Sequence, residues 1–303
     1  MHALTARIET GLAAPVHAEV AAFGKALAKQ AGARAVLFYG SNLRTGALEG
    51  VLDFYVLLPG PQRDKIWPRV SYHERAASDG ETLRAKVATM SLERFAQACA
   101  GERTDTTIWA RFVQPSGLVW ARDDTAKTEV VTAIASAAQT AAKLAAALGP
   151  DSGEAQDFWR ALFRATYQAE FRMEKPGRED SILSVNEAHF DGLFPLALEA
   201  AGIATSIDAG IGCGALAPAM TASQRAQILQ WWGRRQRMGK PLNILRLVKA
   251  STTFDGAARY AAWKIERHTG VPVNVTPFRE KHPLLSAPSV LFDVWRKKDR
   301  ANG

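Results

Sequence analysis

Two short apolar runs, each closed by a turn, constrain this chain more than any other feature. Ala35-Val-Leu-Phe-Tyr39 runs into Gly40-Ser41, and Val51-Leu-Asp-Phe-Tyr-Val-Leu-Leu58 is closed by Pro59-Gly60. Runs of this length between breakers read as buried strands. The second carries Asp53 among hydrophobic neighbours, and an isolated buried carboxylate is expensive, so this one needs a reason. Gly40 would let backbone N–H groups approach a phosphate closely, and Ser41 adds a hydroxyl. Asp53, on a rigid strand, offers hard oxygen ligands to Mg²⁺. A plain Gly-Ser turn with a solvent-facing aspartate fits the same letters, because glycine-rich fingerprints are weak taken singly. A second metal-binding acid on the same strand face would stand two positions on. Here that position is Tyr55. Glu49, Glu81 and Asp105 are candidates for a replacement ligand, and the sequence does not choose among them.

The remaining segments fall around this pair. An opening helix over Met1 to Gly32 carries Ile8, Leu12, Val16, Val20, Phe23 and Leu27 at helical spacing. Leu83 to Met90 reads as a third strand, with Ser91 capping a following helix. Thr107 to Val113 and Gly117 to Ala121 read as a strand pair around the Gln114-Pro-Ser-Gly117 turn. Asp123-Asp-Thr opens an alanine-rich helix to Leu148, broken by Gly149 to Gly153, and the pattern beyond is almost entirely helical. The expected architecture is an α/β domain with a mixed sheet over residues 1–125, then a mostly helical domain over 126–303 with a basic C-terminal segment. Lys86 and Arg111, each flanked by apolar residues on an expected strand, face either an internal ion pair or a phosphate.

Composition excludes several classes. Cys99 and Cys213 lie far apart and match no metal-ligand spacing. The six histidines are dispersed and no glycine-framed nucleophile turn occurs, which argues against triad hydrolysis. The opening segment has a surface-helix pattern rather than an export core, and no run of about 20 uncharged apolar residues is present. Net charge is +8 and unevenly placed, with 16 Lys/Arg against 5 Asp/Glu after position 220. A basic second half of this kind suits an anionic partner (a lipid surface, a nucleic acid or a nucleotide) or is a plain solvated basic face.

Taken in order, these pieces resemble the mitochondrial-type (translocator-maintenance) phosphatidate cytidylyltransferases of the nucleotidyltransferase superfamily. Tyr39-Gly-Ser41 is similar to that family's tyrosine-glycine-serine turn, and Leu52-Asp-Phe54 to its aspartate-phenylalanine strand. Val70-Ser-Tyr-His73 and Leu83 to Ser91 resemble the segment leading into its lysine-bearing strand, matching Lys86. Ala110 to Pro115 is similar to its glycine-arginine-leucine stretch, matching Arg111 with alanine in place of the glycine. Ala165 to Met173 resembles a later helix, with Glu170 in place of an aspartate and Arg172 matched, and Val185 to Phe194 the helix that follows. Asn243 to Lys249 and Ala258 to Lys264 resemble the closing basic helices, so short matches span about residues 35 to 270.

The resemblance implies transfer of a cytidylyl group from CTP to phosphatidic acid, giving CDP-diacylglycerol and pyrophosphate, with Mg²⁺. It implies Gly40 and Ser41 on the triphosphate, Asp53 on the metal, Lys86 in catalysis and nucleotide binding, and Arg111 on phosphate. Arg172 would meet the lipid phosphate or the domain interface. The protein would be cytoplasmic and peripherally associated with an anionic membrane surface, with nucleic acid not favoured as a partner. Trp295, Arg296, Lys297 and Lys298 suit an amphipathic anchor or a packed C-terminal helix, and Trp231 to Arg237 allows the same two readings. The alternatives are another acceptor (a small molecule, protein or RNA) or a catalytically degenerate nucleotide- or lipid-binding scaffold, the latter motivated by Tyr55.

Overall fold

The computed structural model describes residues 2–105, 107–170, 178–207, 215–253 and 256–281. The opening segment is two helices rather than one, α1 (His2–Leu12) and α2 (Ala18–Ala31). Pro15 falls in the break, where its missing N–H costs no helical hydrogen bond. Then follow β1 (Ala35–Tyr39), the short α3 (Ser41–Thr45), β2 (Leu52–Leu58), β3 (Arg69–Ala76) and β4 (Thr82–Ser91). Next come α4 (Leu92–Cys99), α5 (Thr107–Phe112), β5 (Ser116–Ala121) and α6 (Asp124–Leu148). The remainder is α7 (Ala155–Ala169), α8 (Arg178–Val185), α9 (Glu187–Phe190), α10 (Leu193–Ala200), a small hairpin β6 (Thr205–Ile207) and β7 (Leu216–Pro218), α11 (Ala222–Thr253), α12 (Ala257–Thr269) and α13 (Pro277–Lys281).

Five strands form one mixed sheet in the order β3-β4-β2-β1-β5. β2 and β4 run parallel, and every other neighbouring pair is antiparallel. The expected α/β arrangement with a mixed sheet is therefore present. Strand β3 was not expected from the pattern, because its alternation is weak and Tyr72 alone of its eight residues is buried.

Strand alternation sends β1 and β2 side chains to two different layers. Val36, Phe38, Leu52, Phe54 and Val56 meet Val20, Phe23 and Leu27 of α2 on one face. Ala35, Leu37, Tyr55 and Leu57 meet α4, α5 and α6 on the other. The second cluster runs on through Phe158, Trp159, Phe163 and Phe194 to Trp232. α6 lies at its centre and packs on α1, α4, α5, α7, α10 and α11. It is capped as its sequence indicates, the Asp123 carboxylate accepting from the Ala126 N–H at 2.7 Å. Among the described residues it is the one helix long and apolar enough to cross a membrane, and 78% of its apolar window is buried inside the protein. Its composition is that of a core helix packed on other helices, where small alanines permit close approach.

One expected strand is a helix. Thr107 to Phe112 forms α5, because the Asp105 carboxylate accepts from the Ile108 N–H at 3.0 Å and from the Thr107 hydroxyl, starting a helical turn. Ile108, Trp109 and Phe112, all buried, have the spacing of a helix face. Arg111 is therefore presented by a helix, not by a strand. Ser91 does cap α4, its hydroxyl accepting from the Arg94 N–H at 3.1 Å.

Candidate active site

The strand register builds a row of four side chains across the sheet. Tyr39 on β1 pairs with Asp53 on β2, Asp53 with Lys86 on β4, and Lys86 with Tyr72 on β3. Residues opposite one another in register share a face, so Asp53 and Lys86 project toward the helical layer. Immediately after Tyr39 the chain turns at Gly40 with φ +93°, a conformation that side-chain-bearing residues rarely adopt. A Cβ on Gly40 would stand 3.2 Å from Oδ2 of Asp53 and 3.7 Å from its Cβ. The backbone of the Gly-Ser turn thus lies directly against the carboxylate.

From the opposite layer, α5 brings Arg111. Its Nη1 donates to the Tyr55 hydroxyl at 3.0 Å, and its guanidinium stands 5.3 Å from the Tyr39 ring centroid and 5.9 Å from that of Tyr55. Tyr55, at the position of the missing second acid, is buried and bonded to an arginine rather than open to a metal. Burial works against the Arg111 charge, but the oxygens of Tyr55 and Tyr39 and the carboxylates of Glu170 and Asp53 outweigh it and raise its pKa.

These groups open into a cavity of about 320 Å³, within the range of ligand pockets. Its walls include Gly40, Ser41, Asp53 and Arg111, joined by Arg44 of α3, Gln114 and Pro115 before β5, Tyr167 of α7, and Ser181, Ile182 and Asn186 near α8. Lys86, one strand from Asp53, is not in these walls. Neither Asp53 nor Lys86 makes a side-chain hydrogen bond or ion pair. Burial raises the Asp53 carboxyl above its ordinary value, with Lys86 and Arg111 pulling it back. Lys86 is exposed as a residue, yet desolvation lowers the pKa of its amine, opposed by Asp53 and reinforced by Arg111 and Lys264. A partly desolvated carboxylate beside cations, in a cavity wall, makes this the candidate site.

The three candidates for a second metal ligand fare differently. Asp105 is committed elsewhere, buried and paired with Arg246 at 2.6 Å. Glu49 and Glu81 are exposed and do not line the cavity. Among the described residues, no three His, Cys, Asp or Glu side chains gather as a metal cluster. Asp53 is the carboxylate in the cavity walls, so the donor set suits Mg²⁺ carried in on phosphate oxygens rather than a protein cage. Arg172 and Trp295 to Lys298 lie outside the described residues. Trp231 and Trp232 do not form a surface: both pack on Trp109, and the Trp231 Nε1 donates to the Gly101 carbonyl at 3.1 Å.

Arg44, Gln114, Tyr167, Ser181 and Asn186 were not legible from the sequence. Arg44 carried a signal, since it stands between the Gly-Ser turn and Asp53, but the others reach the site only through helix packing. A larger cleft of about 730 Å³ lies elsewhere, against α4 and α6. Its lining includes the Arg34–Glu129 pair at 3.0 Å, and none of Gly40, Ser41, Asp53, Lys86 or Arg111 reaches it. No protein-family model matches the chain, and no curated protein is significantly similar to it in sequence.

Replacing Gly40 by alanine tests the close approach. The left-handed backbone should cost roughly 1–3 kcal/mol, and the new methyl must push Asp53 aside. If the site is catalytic, turnover is expected to fall, but by less than the roughly 100-fold that a misplacement of about 1 Å brings, because this contact asks Asp53 to give by only a few tenths of an ångström. Steady-state kinetics with a thermal melt alongside separates the two effects.

Proposed function

We propose that this protein is a nucleotidyltransferase that moves a cytidylyl group from CTP to phosphatidic acid, releasing pyrophosphate. Its N-terminal part, residues 1–125, would be the nucleotidyltransferase-like domain, and residues 126–303 a helical domain closing the site. The observation that carries the reading is the unpartnered Asp53 carboxylate, held against the Gly40 turn at a cavity that also holds Arg44 and Arg111. The ordered resemblance of short segments supplies the substrates.

In this reading a phosphate oxygen of the lipid attacks the α-phosphorus of CTP. The new P–O bond forms as the bond to the β-phosphate bridging oxygen breaks, and pyrophosphate leaves with the electron pair. Such chemistry is largely positioning and charge stabilisation. Gly40 and Ser41 let the backbone approach the triphosphate, Arg111 and Arg44 face its charge, and Lys86 adds positive potential beside Asp53. Asp53 would hold Mg²⁺, which when bound supplies neutralisation of phosphate charge. Because the acceptor is a membrane lipid, the enzyme would work as a peripheral protein on the cytoplasmic side of an anionic membrane.

Tyr55 favours a second reading. With an arginine-bonded tyrosine at the second acid position, the site would bind nucleotide without turning it over, as a scaffold. Pyrophosphate release with Mg²⁺ and each ribonucleoside triphosphate, with and without phosphatidic acid vesicles, decides between them. Release with CTP alone and only with the lipid is expected. Release with another triphosphate or without lipid discards these substrates, and nucleotide binding without release moves the assignment to the scaffold.

A further inference from the structure

We infer that the outward face of α11 is the surface on which this protein docks to an anionic bilayer. α11 is 32 residues long and contains no Asp or Glu, against Arg225, Arg234, Arg235, Arg237, Lys240, Arg246 and Lys249. Its two sides do different things. Trp232 and Arg235 are buried, a Cβ on Gly239 would stand 2.3 Å from the Ala169 carbonyl, and the Arg246 and Lys249 side chains are 19% and 17% exposed. These positions recur at helical spacing and form the packed side. Arg246 donates to the Trp67 carbonyl at 3.0 Å and pairs with Asp105, and Lys249 pairs with Asp64 at 3.4 Å and bonds the Ile66 carbonyl. The helix is thus clamped to the segments flanking β3 and α5.

The other side carries Met238, Leu245 and Val248, 43%, 48% and 59% exposed, with Ile244 at 52% beside them. Positions 234, 237, 238, 241, 245 and 248 share one face, so Arg234 and Arg237 stand in the same stripe and Lys240 at its edge, all three exposed. Among the described residues, these four account for half of the large hydrophobic side chains left exposed.

A contiguous apolar row on an otherwise soluble body marks an interaction surface. Cations with no acids choose an anionic partner. Met238 lies among those cations, and Ile244, Leu245 and Val248 continue the face one to two turns beyond them. This apolar continuation chooses lipid over nucleic acid, since a phosphate backbone gains nothing from isoleucine, leucine and valine. Interfacial helices combine these features, the apolar side chains entering the headgroup boundary and the basic ones meeting lipid phosphates. The tryptophans of the same helix serve the core, so the anchor is aliphatic.

The inference rests on the membrane-lipid acceptor of the proposed function for its purpose, but its test does not need the reaction. The full chain is sedimented with phosphatidylcholine vesicles with and without phosphatidylglycerol, which lacks the proposed acceptor. Binding that requires the anionic lipid and weakens with salt is expected. Arg237→Glu with Lys240→Glu should weaken it by roughly 30-fold or more, given the usual contribution of each basic residue near such a surface. Ile244→Ser with Val248→Ser should also release the protein, and at these exposed positions the melting temperature should hold, which separates docking from folding. Full binding by both double variants overturns the inference, as does wild-type protein that ignores vesicles but binds single-stranded RNA. Loss of CTP turnover with vesicle binding intact would sink the reaction and leave the docking surface standing.

Discussion

With Asp53→Asn, the CTP-dependent pyrophosphate release of the proposed function is expected to fall by at least roughly 100-fold, the scale of losing one electrostatic contact to a developing charge, while the melting temperature stays the same or rises. The two halves of this result have one cause. Burial raises the Asp53 carboxyl pKa, and Lys86 and Arg111 only partly restore it. A carboxyl with a raised folded-state pKa binds more protons folded than unfolded. Stability therefore falls as pH climbs from the unfolded value through the folded one, and at neutral pH the ionised group is a liability. An amide of the same shape removes that liability and the function together. A residue that only packed or paired would behave in the opposite way, losing stability first. Turnover, which in the proposed function needs the ionised carboxylate, should decline on acidification. An Asp53→Asn protein with normal turnover would remove the aspartate from the chemistry.

Asp105→Ala lowers the free energy of unfolding by about 3–5 kcal/mol, the cost of stranding one partner of a buried ion pair. The Asp105 side chain is fully buried, accepts from the Ile108 N–H and the Thr107 hydroxyl, and pairs with Arg246 at 2.6 Å. Its loss removes the cap of α5, which presents Arg111, and the clamp on α11 together. Burial alone would raise the Asp105 pKa, but Arg246, the Ile108 amide and the Thr107 hydroxyl outweigh it, and the net shift is downward from 3.8. The stabilisation is therefore complete above that unfolded value and disappears as pH falls below it through the folded one. Urea unfolding at neutral pH, repeated in acid, should show the wild-type and Asp105→Ala midpoints converging. A neutral-pH difference under about 1 kcal/mol, the range of an exposed pair, would contradict the assignment.

The sequence by itself determined the parts whose signals are local. Two apolar runs ending in breakers read as strands of a buried sheet, and both are strands. A glycine directly after one strand and an aspartate within the next mark where a backbone turn and a carboxylate meet. Asp123 before an alanine-rich run fixes the start of α6, and Ser91 that of α4, because a cap bonds a neighbour two or three residues away. Thr107 to Phe112 defeated the same reasoning. Its letters alternate well enough for a strand, and the side chain that makes it a helix, Asp105, looked instead like a metal ligand until Arg246, 141 positions on, was seen to hold it. Trp231 and Trp232 were ambiguous for a like reason, since only the packing of α11 against Trp109 turns them inward. The cavity belongs wholly to the tertiary structure. Strand register sets Lys86 beside Asp53 just outside the walls, α5 carries Arg111 over Tyr55, and α7, α8 and the start of α9 bring Tyr167, Ser181 and Asn186 from more than 100 residues beyond Asp53. Caps and strand alternation are short-range forces that a chain carries in its own order. Which helix face closes a site depends on burying apolar area at long range, and that is decided only when the layers pack.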